Sequence, residues 1–227
     1  MGFETVLGQA SLFAHLDAAH LRALAQQLQH RRYDQEQIIF HKNDPGSTLY
    51  IIIAGKVKIL LPSDEGENVI VAMLSTGEFF GELSLFDGAP RSATAVACEA
   101  TEILTLDKDD FNRYLLDNPR AALVILSELS LRLRRTDELL SDAAFCNLAT
   151  RLARRLLDLA HRYGQPAPNG AIHINLRLKQ QDLADMTGAT RESVNKVLKI
   201  LKDHKLISWS KSFPTLLNPD ALRQKAR

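Results

Sequence analysis

Gly81-Glu82-Leu83-Ser84-Leu85-Phe86-Asp87-Gly88-Ala89-Pro90-Arg91-Ser92-Ala93-Thr94 is the stretch that decides how this 227-residue chain is read. Gly81 lets a ligand come close to the backbone. The residues after it suit a short helical turn, whose N–H groups favour an anion such as phosphate. Arg91 supplies a planar cation to pair that charge. Ser92 adds a hydroxyl, and Glu82 is an acid able to accept from a sugar hydroxyl. The segment therefore reads as a site for something carrying both a phosphate and a sugar.

Outward from it the chain reads as short strands with period two, from Arg32 to about Leu106. Ile38 and Phe40 alternate, then Leu49, Ile51 and Ile53, then Val57, Ile59 and Leu61. Asn43-Asp44-Pro45-Gly46, Ala54-Gly55-Lys56, Asp64-Glu65-Gly66 and Ser75-Thr76-Gly77 are turn signals between them. Many short strands with Gly-rich turns predict a small closed β-structure. Before it, Leu12, Leu16, Leu21, Leu24 and Leu28 recur at helical spacing over residues 11–29.

A long helix is expected from Pro119 to Ala143, with proline in a tolerated first-turn position. Ala122, Leu126, Leu129, Leu133, Thr136, Leu140 and Ala143 follow the heptad a/d rhythm, which predicts a parallel dimer seam. A helix packed on its own domain would carry a wider apolar stripe. Phe145-Cys146-Asn147 reads as a hinge, with Asn147 capping a helix from Leu148 to about Tyr163. A Gly/Pro-rich loop over 164–170 follows. Helices are then expected over Gln180–Thr187 and Arg191–His204, joined by Gly188-Ala189-Thr190: helix, short glycine turn, helix. Leu206–Trp209 and Thr215–Leu217 form a candidate wing hairpin. The organisation is thus α+β: a jelly-roll-like β-roll over 1–118, a dimerisation helix and hinge over 119–146, and a winged helix-turn-helix over 147–227.

The net charge of +1 conceals a division. Residues 1–146 hold 13 Lys and Arg against 21 Asp and Glu, net −8; residues 147–227 hold 15 against 6, net +9. The second part is built to face a polyanion. Two cysteines, Cys98 and Cys146, make neither a disulfide framework nor a cysteine-only metal site. The N-terminus shows no signal-peptide pattern, Val6 stands where a myristoylation signal needs Ser or Thr, and no apolar run is long enough to span a membrane. A cytoplasmic protein without a membrane partner is expected.

Residues 81–94 resemble the phosphate-binding cassette of cyclic-nucleotide-binding domains. More narrowly, the chain resembles the catabolite-activator/fumarate-nitrate-regulator (Crp/Fnr) superfamily, closest to its cAMP-receptor-like branch. The resemblance runs from Ser11 onward and includes Gly46, Gly55, Gly66 and Gly77 in the roll turns. It implies that Arg91 pairs the cyclic phosphate, that Ser92 bonds it, that Glu82 accepts from the ribose 2′-hydroxyl, and that N–H groups near Gly81, Leu83 and Ser84 line it. It places the base against Thr136-Asp137 on the long helix. The Asp137 carboxylate accepts equally from the adenine amino group or from guanine N1–H and N2–H₂, so the expected effector is cAMP, with cGMP open.

Thr190-Arg191-Glu192-Ser193-Val194-Asn195-Lys196-Val197-Leu198 resembles the recognition helix of the same superfamily. Val194, Val197, Leu198 and Leu201 form its buried stripe; Arg191, Glu192, Asn195 and Lys196 turn to the groove. Arginine can take guanine O6 and N7, and glutamate can accept from cytosine N4. Lys196 keeps the charge of the usual arginine but not its fork, and Lys179 is a weak cap for the preceding helix. Gln181 and Thr190 would hold phosphates. The expectation is a homodimeric, non-enzymatic transcription regulator of bacterial type. Its partners would be double-stranded DNA, a cyclic nucleotide and RNA polymerase, and its operator a palindrome with TGTGA-like half-sites. Alternatives are the same fold sensing haem or a redox signal, or acting without ligand. An iron–sulfur sensor needs about four cysteines. His41 is the one histidine between residues 31 and 160, too few ligands for a metal-dependent β-barrel enzyme.

Overall fold

Among the described residues, eight short strands carry the first part of the fold: β1 (Gln29–Tyr33), β2 (Ile38–Phe40), β3 (Thr48–Ala54), β4 (Lys56–Pro62), β5 (Asn68–Ser75), β6 (Phe79–Phe80), β7 (Thr94–Ala97) and β8 (Thr101–Asp107). The computed structural model describes Ala10, Leu12, Phe13, Leu16, Leu21 and residues 24–226. The helix expected over 11–29 lies in part outside the described residues, and Met1 to Val6 wholly so. The strands form two sheets, ordered β1-β8-β3-β6 and β2-β7-β4-β5. The pairings that close the roll join distant segments: Gln29 stands opposite Thr105 and Tyr33 opposite Thr101.

Alternation sorts β3 into two cores. Leu49 and Ile51 pack with Phe79, Leu104, Leu106 and Phe111 on one side. Tyr50 and Ile52 pack with Val57, Leu74, Phe80, Ala95 and Ile103 on the other. The expected stripe of Leu49, Ile51 and Ile53 was therefore half of the pattern. This strand is apolar on both faces because each covers its own core. Leu12, Leu21 and Leu24 join the first cluster as buried residues, with Leu16 and Leu28 partly buried against it.

Helices α1 (Leu83–Asp87), α2 (Lys108–Asp117) and α3 (Pro119–Phe145) belong to the same region. Asp107 starts α2 by accepting from the Asp109 and Asp110 N–H groups. The first half of α3 packs on the roll through Ala121 and Ile125, with Leu129 half-buried beside them. Thus α3 carries two faces, one for its own domain and one exposed.

The second region contains α4 (Leu148–Tyr163), β9 (Gly164–Pro166), β10 (Ile172–Ile174), α5 (Gln180–Thr187), α6 (Arg191–Asp203), β11 (Ile207–Ser210), β12 (Phe213–Leu216) and α7 (Pro219–Lys225). Its sheet runs β11-β12-β10-β9. Asn147 caps α4 by accepting from Thr150 N–H at 3.0 Å. The Arg154 Nε donates to the Ala226 carbonyl, and the Thr150 hydroxyl to that of Lys225, which holds α7 against α4.

Contacts divide the described residues into two compact units, one ending at Arg135, the other beginning at Thr136 and including Glu67–Val69. Within the second unit Asp142, 5% exposed, is ion-paired to both Arg154 and Arg155 of α4. The last turns of α3 are fastened to α4 before the chain breaks helix at Cys146 and Asn147. Removing a carboxylate buried between two cations leaves uncompensated charge. Asp142→Ala is expected to destabilise the second unit by about 2–3 kcal/mol, less than a fully enclosed pair because Arg154 is partly solvated. Urea unfolding followed by fluorescence of Trp209, the single tryptophan, measures this. A change below about 0.5 kcal/mol would show that the pairs are no more than surface contacts.

Candidate functional site

Gly81 opens the cassette with φ +84°, a left-handed conformation that disfavours a side chain. A Cβ there would also lie 2.8 Å from Arg91 Nη1. Glu82 precedes α1 and its carbonyl accepts from Leu85 and Phe86. Gly88 ends the turn at φ +71°, with its N–H bonded to the Ser84 carbonyl. Glu82, Ser84 and Arg91 are buried, at 3, 2 and 3% exposed, while Ser92 is exposed. With Thr94, also buried, four polar side chains from one 14-residue segment are thus enclosed.

Arg91 is held at several points. Its N–H donates to the Asp44 carbonyl, and its own carbonyl accepts from Asn43. Nη1 donates to the Gly81 carbonyl at 2.7 Å and Nη2 to the Thr48 carbonyl at 2.8 Å. The guanidinium carbon lies 4.6 Å from the centre of the Phe40 ring and 5.4 Å from that of Tyr50. Burial pushes the guanidinium below its ordinary pKa, opposed by Tyr50, Glu82 and Asp44. Burial likewise raises the Tyr50 phenol, opposed by Arg91. At Gly46 a Cβ would collide with the Ser84 side chain and come within 3.0 Å of Arg91 Nε.

Glu82 does not turn to Arg91. Its Oε1 accepts from Arg132 Nη1 of α3 at 2.9 Å, and Arg132 also donates to the Phe79 carbonyl and lies over the Phe79 ring. Sequence reasoning missed Arg132. The signal was present: it continues the buried stripe Ala121, Ile125 and Leu129 at helical spacing, an arginine on an apolar face. Two buried atoms in the cassette have no hydrogen-bond partner among the described residues: Glu82 Oε2 and Arg91 Nε. The first only accepts and the second only donates.

Thr136 and Asp137 lie on α3 at exposed positions and count with the second unit. Of the heptad residues, Leu126, Leu133 and Leu140 are 59, 63 and 70% exposed. Leu129 is partly buried against the roll core, and Ala122 is half-buried. Phe145, at the hinge, is 85% exposed.

The helix-turn-helix forms as its sequence directs. Gly188 ends α5 at φ +58°, and Thr190 caps α6 by accepting from Ser193 N–H at 3.2 Å. The weak cap at Lys179 is made good by Asp182, which accepts from the Lys179 N–H at 2.7 Å. Val194, Leu198 and Leu201 are buried and Val197 half-buried, so Arg191, Glu192 and Lys196 share the exposed face. Asn195 sits at its margin, half-buried with Oδ1 enclosed and unpartnered. Lys199, missed from sequence, is exposed seven residues after Glu192 and extends that face. Gln181 is exposed, its amide donating to Asp185. Lys211 and Ser212 turn the β11–β12 hairpin with positive φ at both positions, which displays Lys211 at its tip.

His41 is exposed in the loop after β2. Among the described residues no group of three His, Cys, Asp or Glu could hold a metal ion, and no helix is long and apolar enough to cross a membrane.

Comparison with known proteins agrees with both halves of this geometry. Residues 30–118 match the cyclic nucleotide-binding domain family, and residues 150–225 match the Crp-like helix-turn-helix domain family. The chain is 34% identical over 195 residues to a CRP-like cAMP-activated global transcriptional regulator of Mycobacterium tuberculosis, covering 86% of this chain and 87% of that one. It is 33% identical over 200 residues to the global nitrogen regulator of Synechococcus elongatus, covering 87 and 90%. Among solved structures, the c-di-GMP responsive global regulator CLP of Xanthomonas campestris is similar with a TM-score of 0.77 at 27% identity, covering 88% of this chain and 99% of that one. Both regions thus match known families along nearly the whole length, and the chain belongs to the Crp/Fnr superfamily of DNA-binding transcription regulators, which are not enzymes.

Proposed function

We propose that this protein is a dimeric, cAMP-responsive transcription regulator whose nucleotide site, once filled, raises affinity for a palindromic operator. The observation that carries this reading is the pair of enclosed, unpartnered atoms Glu82 Oε2 and Arg91 Nε. Leaving both unmet costs free energy. A cyclic nucleotide meets both needs, its 2′-hydroxyl donating to the acid and its phosphate accepting from the guanidinium. Ser92 and the N–H groups of Leu83 and Ser84 would complete the phosphate contacts. The name of the Mycobacterium tuberculosis relative supports cAMP, and that of the Xanthomonas campestris regulator shows that the fold also serves c-di-GMP. Thr136 and Asp137 would read the base, and the Asp137 carboxylate keeps cGMP as a second effector.

The exposed leucines Leu126, Leu133 and Leu140 favour pairing of α3 with its twofold mate. Such a dimer presents two α6 helices to adjacent major grooves, so the operator would be a pseudo-palindrome with TGTGA-like half-sites about one helical turn apart. Arg191 and Glu192 would read bases. Gln181, Thr190 and Lys196 would hold phosphates or base edges, with Asn195 at the margin. RNA polymerase is the expected protein partner. Coupling between nucleotide and DNA of roughly 1–3 kcal/mol is typical of such regulators. It would act through α3 and the Phe145–Asn147 break.

Two experiments test this. Isothermal titration with cAMP, cGMP and 2′-deoxy-cAMP should show binding of at least the first. Arg91→Ala should abolish it in a folded protein, and Glu82→Gln should narrow the preference for ribose over deoxyribose by about tenfold, the worth of one hydrogen bond to a charged group. Unchanged affinity in Arg91→Ala would place the phosphate elsewhere.

Selection from random DNA, with and without cAMP, should return a palindrome bound more tightly with nucleotide. Arg191→Ala should cost about 1–3 kcal/mol and relax one position of each half-site, whereas Gln181→Ala should weaken all sequences evenly. Leu133→Glu should give monomers by sedimentation and remove palindromic binding. An unaltered consensus in Arg191→Ala would mean that another register of α6 enters the groove.

A further inference from the structure

We infer that the two Asp137 carboxylates meet at the seam between α3 and a second copy of α3, and that their repulsion makes the dimer conditional on a ligand that donates hydrogen bonds to them. This rests on the dimeric, nucleotide-binding reading above and adds its regulation. The inner face of α3 is already committed to its own roll. Ala121 and Ile125 are buried and Leu129 half-buried against one core, and Arg132 turns inward to Glu82 and the Phe79 carbonyl. Ala122 is half-buried beside them. A seam that includes Ala122 and Leu129 therefore competes with packing that α3 already makes. The face left open is Leu123, Leu126, Ser130, Leu133, Asp137 and Leu140, every one exposed, with Leu123 at 67%. Its intervals of three and four residues are those of a heptad seam. Leu126, Leu133 and Leu140 belong to both registers. Burial decides the alternate positions: Ser130 and Asp137, not Leu129 and Thr136.

That register has a chemical consequence. In a parallel twofold pair each seam residue stands beside its own copy across the axis. The leucine layers and the Ser130 layer are neutral. The Asp137 layer sets carboxylate against carboxylate, between the layers of Leu133 and Leu140, where water is partly excluded and like charges repel more strongly than in bulk solvent. Arg134, one turn earlier, lies on the flank of the face and not on it. An ionised carboxylate only accepts hydrogen bonds, so neither acid can satisfy the other. A base with an amino group or a ring N–H supplies the missing donors. Dimer formation and nucleotide binding are then linked, each tightening the other by the same factor. A neutral side chain at position 137 would let α3 pair with or without nucleotide.

Sedimentation across a concentration series, with and without saturating cAMP, reads the condition directly. In the parent, cAMP should tighten the dimer dissociation constant by about tenfold, the scale of one like-charge contact relieved near a protein surface. Asp137→Asn keeps the shape and removes the charge. Without nucleotide its dimer should be about tenfold tighter than the parent's, and cAMP should then add little. The register is read by cross-linking in a Cys98→Ser, Cys146→Ser background, which removes both free thiols. Ser130→Cys and Asp137→Cys should form disulfide-linked dimers under mild oxidation, and Leu129→Cys and Thr136→Cys should not. The reverse pattern overturns the register. Thermal unfolding monitors the fold of each variant. If the parent binds cAMP by titration, yet Asp137→Asn dimerises as the parent does with and without it, the acid pair is wrong and the nucleotide reading stands. If the parent binds no cAMP, the nucleotide reading fails, and the repulsion is judged on the nucleotide-free dimers alone: equal constants for parent and Asp137→Asn overturn it.

Discussion

A guanidinium cannot be taken out of water unless the protein replaces its hydration shell, and the β-roll is arranged around that requirement at Arg91. Carbonyl oxygens from two separate segments, at Thr48 and Gly81, supply the acceptors. Aromatic rings on β2 and β3 supply the negative faces. Close approach of those segments forbids side chains at Gly46 and Gly81. The acid of the same cassette faces the mirror problem, solved by Arg132 from α3. Each solution is incomplete by one atom. An enclosed donor and an enclosed acceptor are left over in one small region, and both groups cost free energy until something meets them.

The two halves use charge in opposite ways. In the roll, charged side chains at the site are enclosed and individually matched, so their directions matter more than their number. On α6, by contrast, Arg191, Lys196 and Lys199 are exposed, the arrangement that suits a long polyanion rather than a small ligand. The Asp142 pairs with Arg154 and Arg155 belong to the first kind although both arginines lie in the basic half. They bind the end of α3 to α4, so a change in α3 beyond Arg135 is carried by the DNA-binding unit as part of itself.

Local signals in the sequence carried a large share of this. The cassette was legible because its spacing is set by one short turn, and α5 and α6 because Gly188 and Thr190 punctuate them. What escaped was non-local. Arg132 is 50 residues from Glu82 and only the packing of α3 on the roll brings them together. The heptad reading assigned Leu129 to the outer seam, whereas burial of Ala121 and Ile125 draws it toward the inner face. The helix has two apolar stripes, and a single-period reading sees their superposition. Asp142 reads as an ordinary acid on a polar helix face until α4 folds back beside it. Asn195 has the spacing of a groove residue, yet its depth depends on how α6 packs, which spacing alone does not specify.

The register of β1 against β8 has a consequence for how the chain acquires its shape. Pairing Tyr33 with Thr101 closes a loop of about seventy residues, and that closure entropy must be met before the pairing returns any stabilisation. The phosphate cassette lies inside that loop. As the polypeptide leaves the ribosome, its first strands therefore wait, edges unpaired, until β8 has been made. The helix-turn-helix assembles from neighbours, α5 against α6 and β11 against β12, and needs no such delay. The segment 81–94 is thus placed by the slow, non-local part of folding, and the helix-turn-helix by the fast, local part.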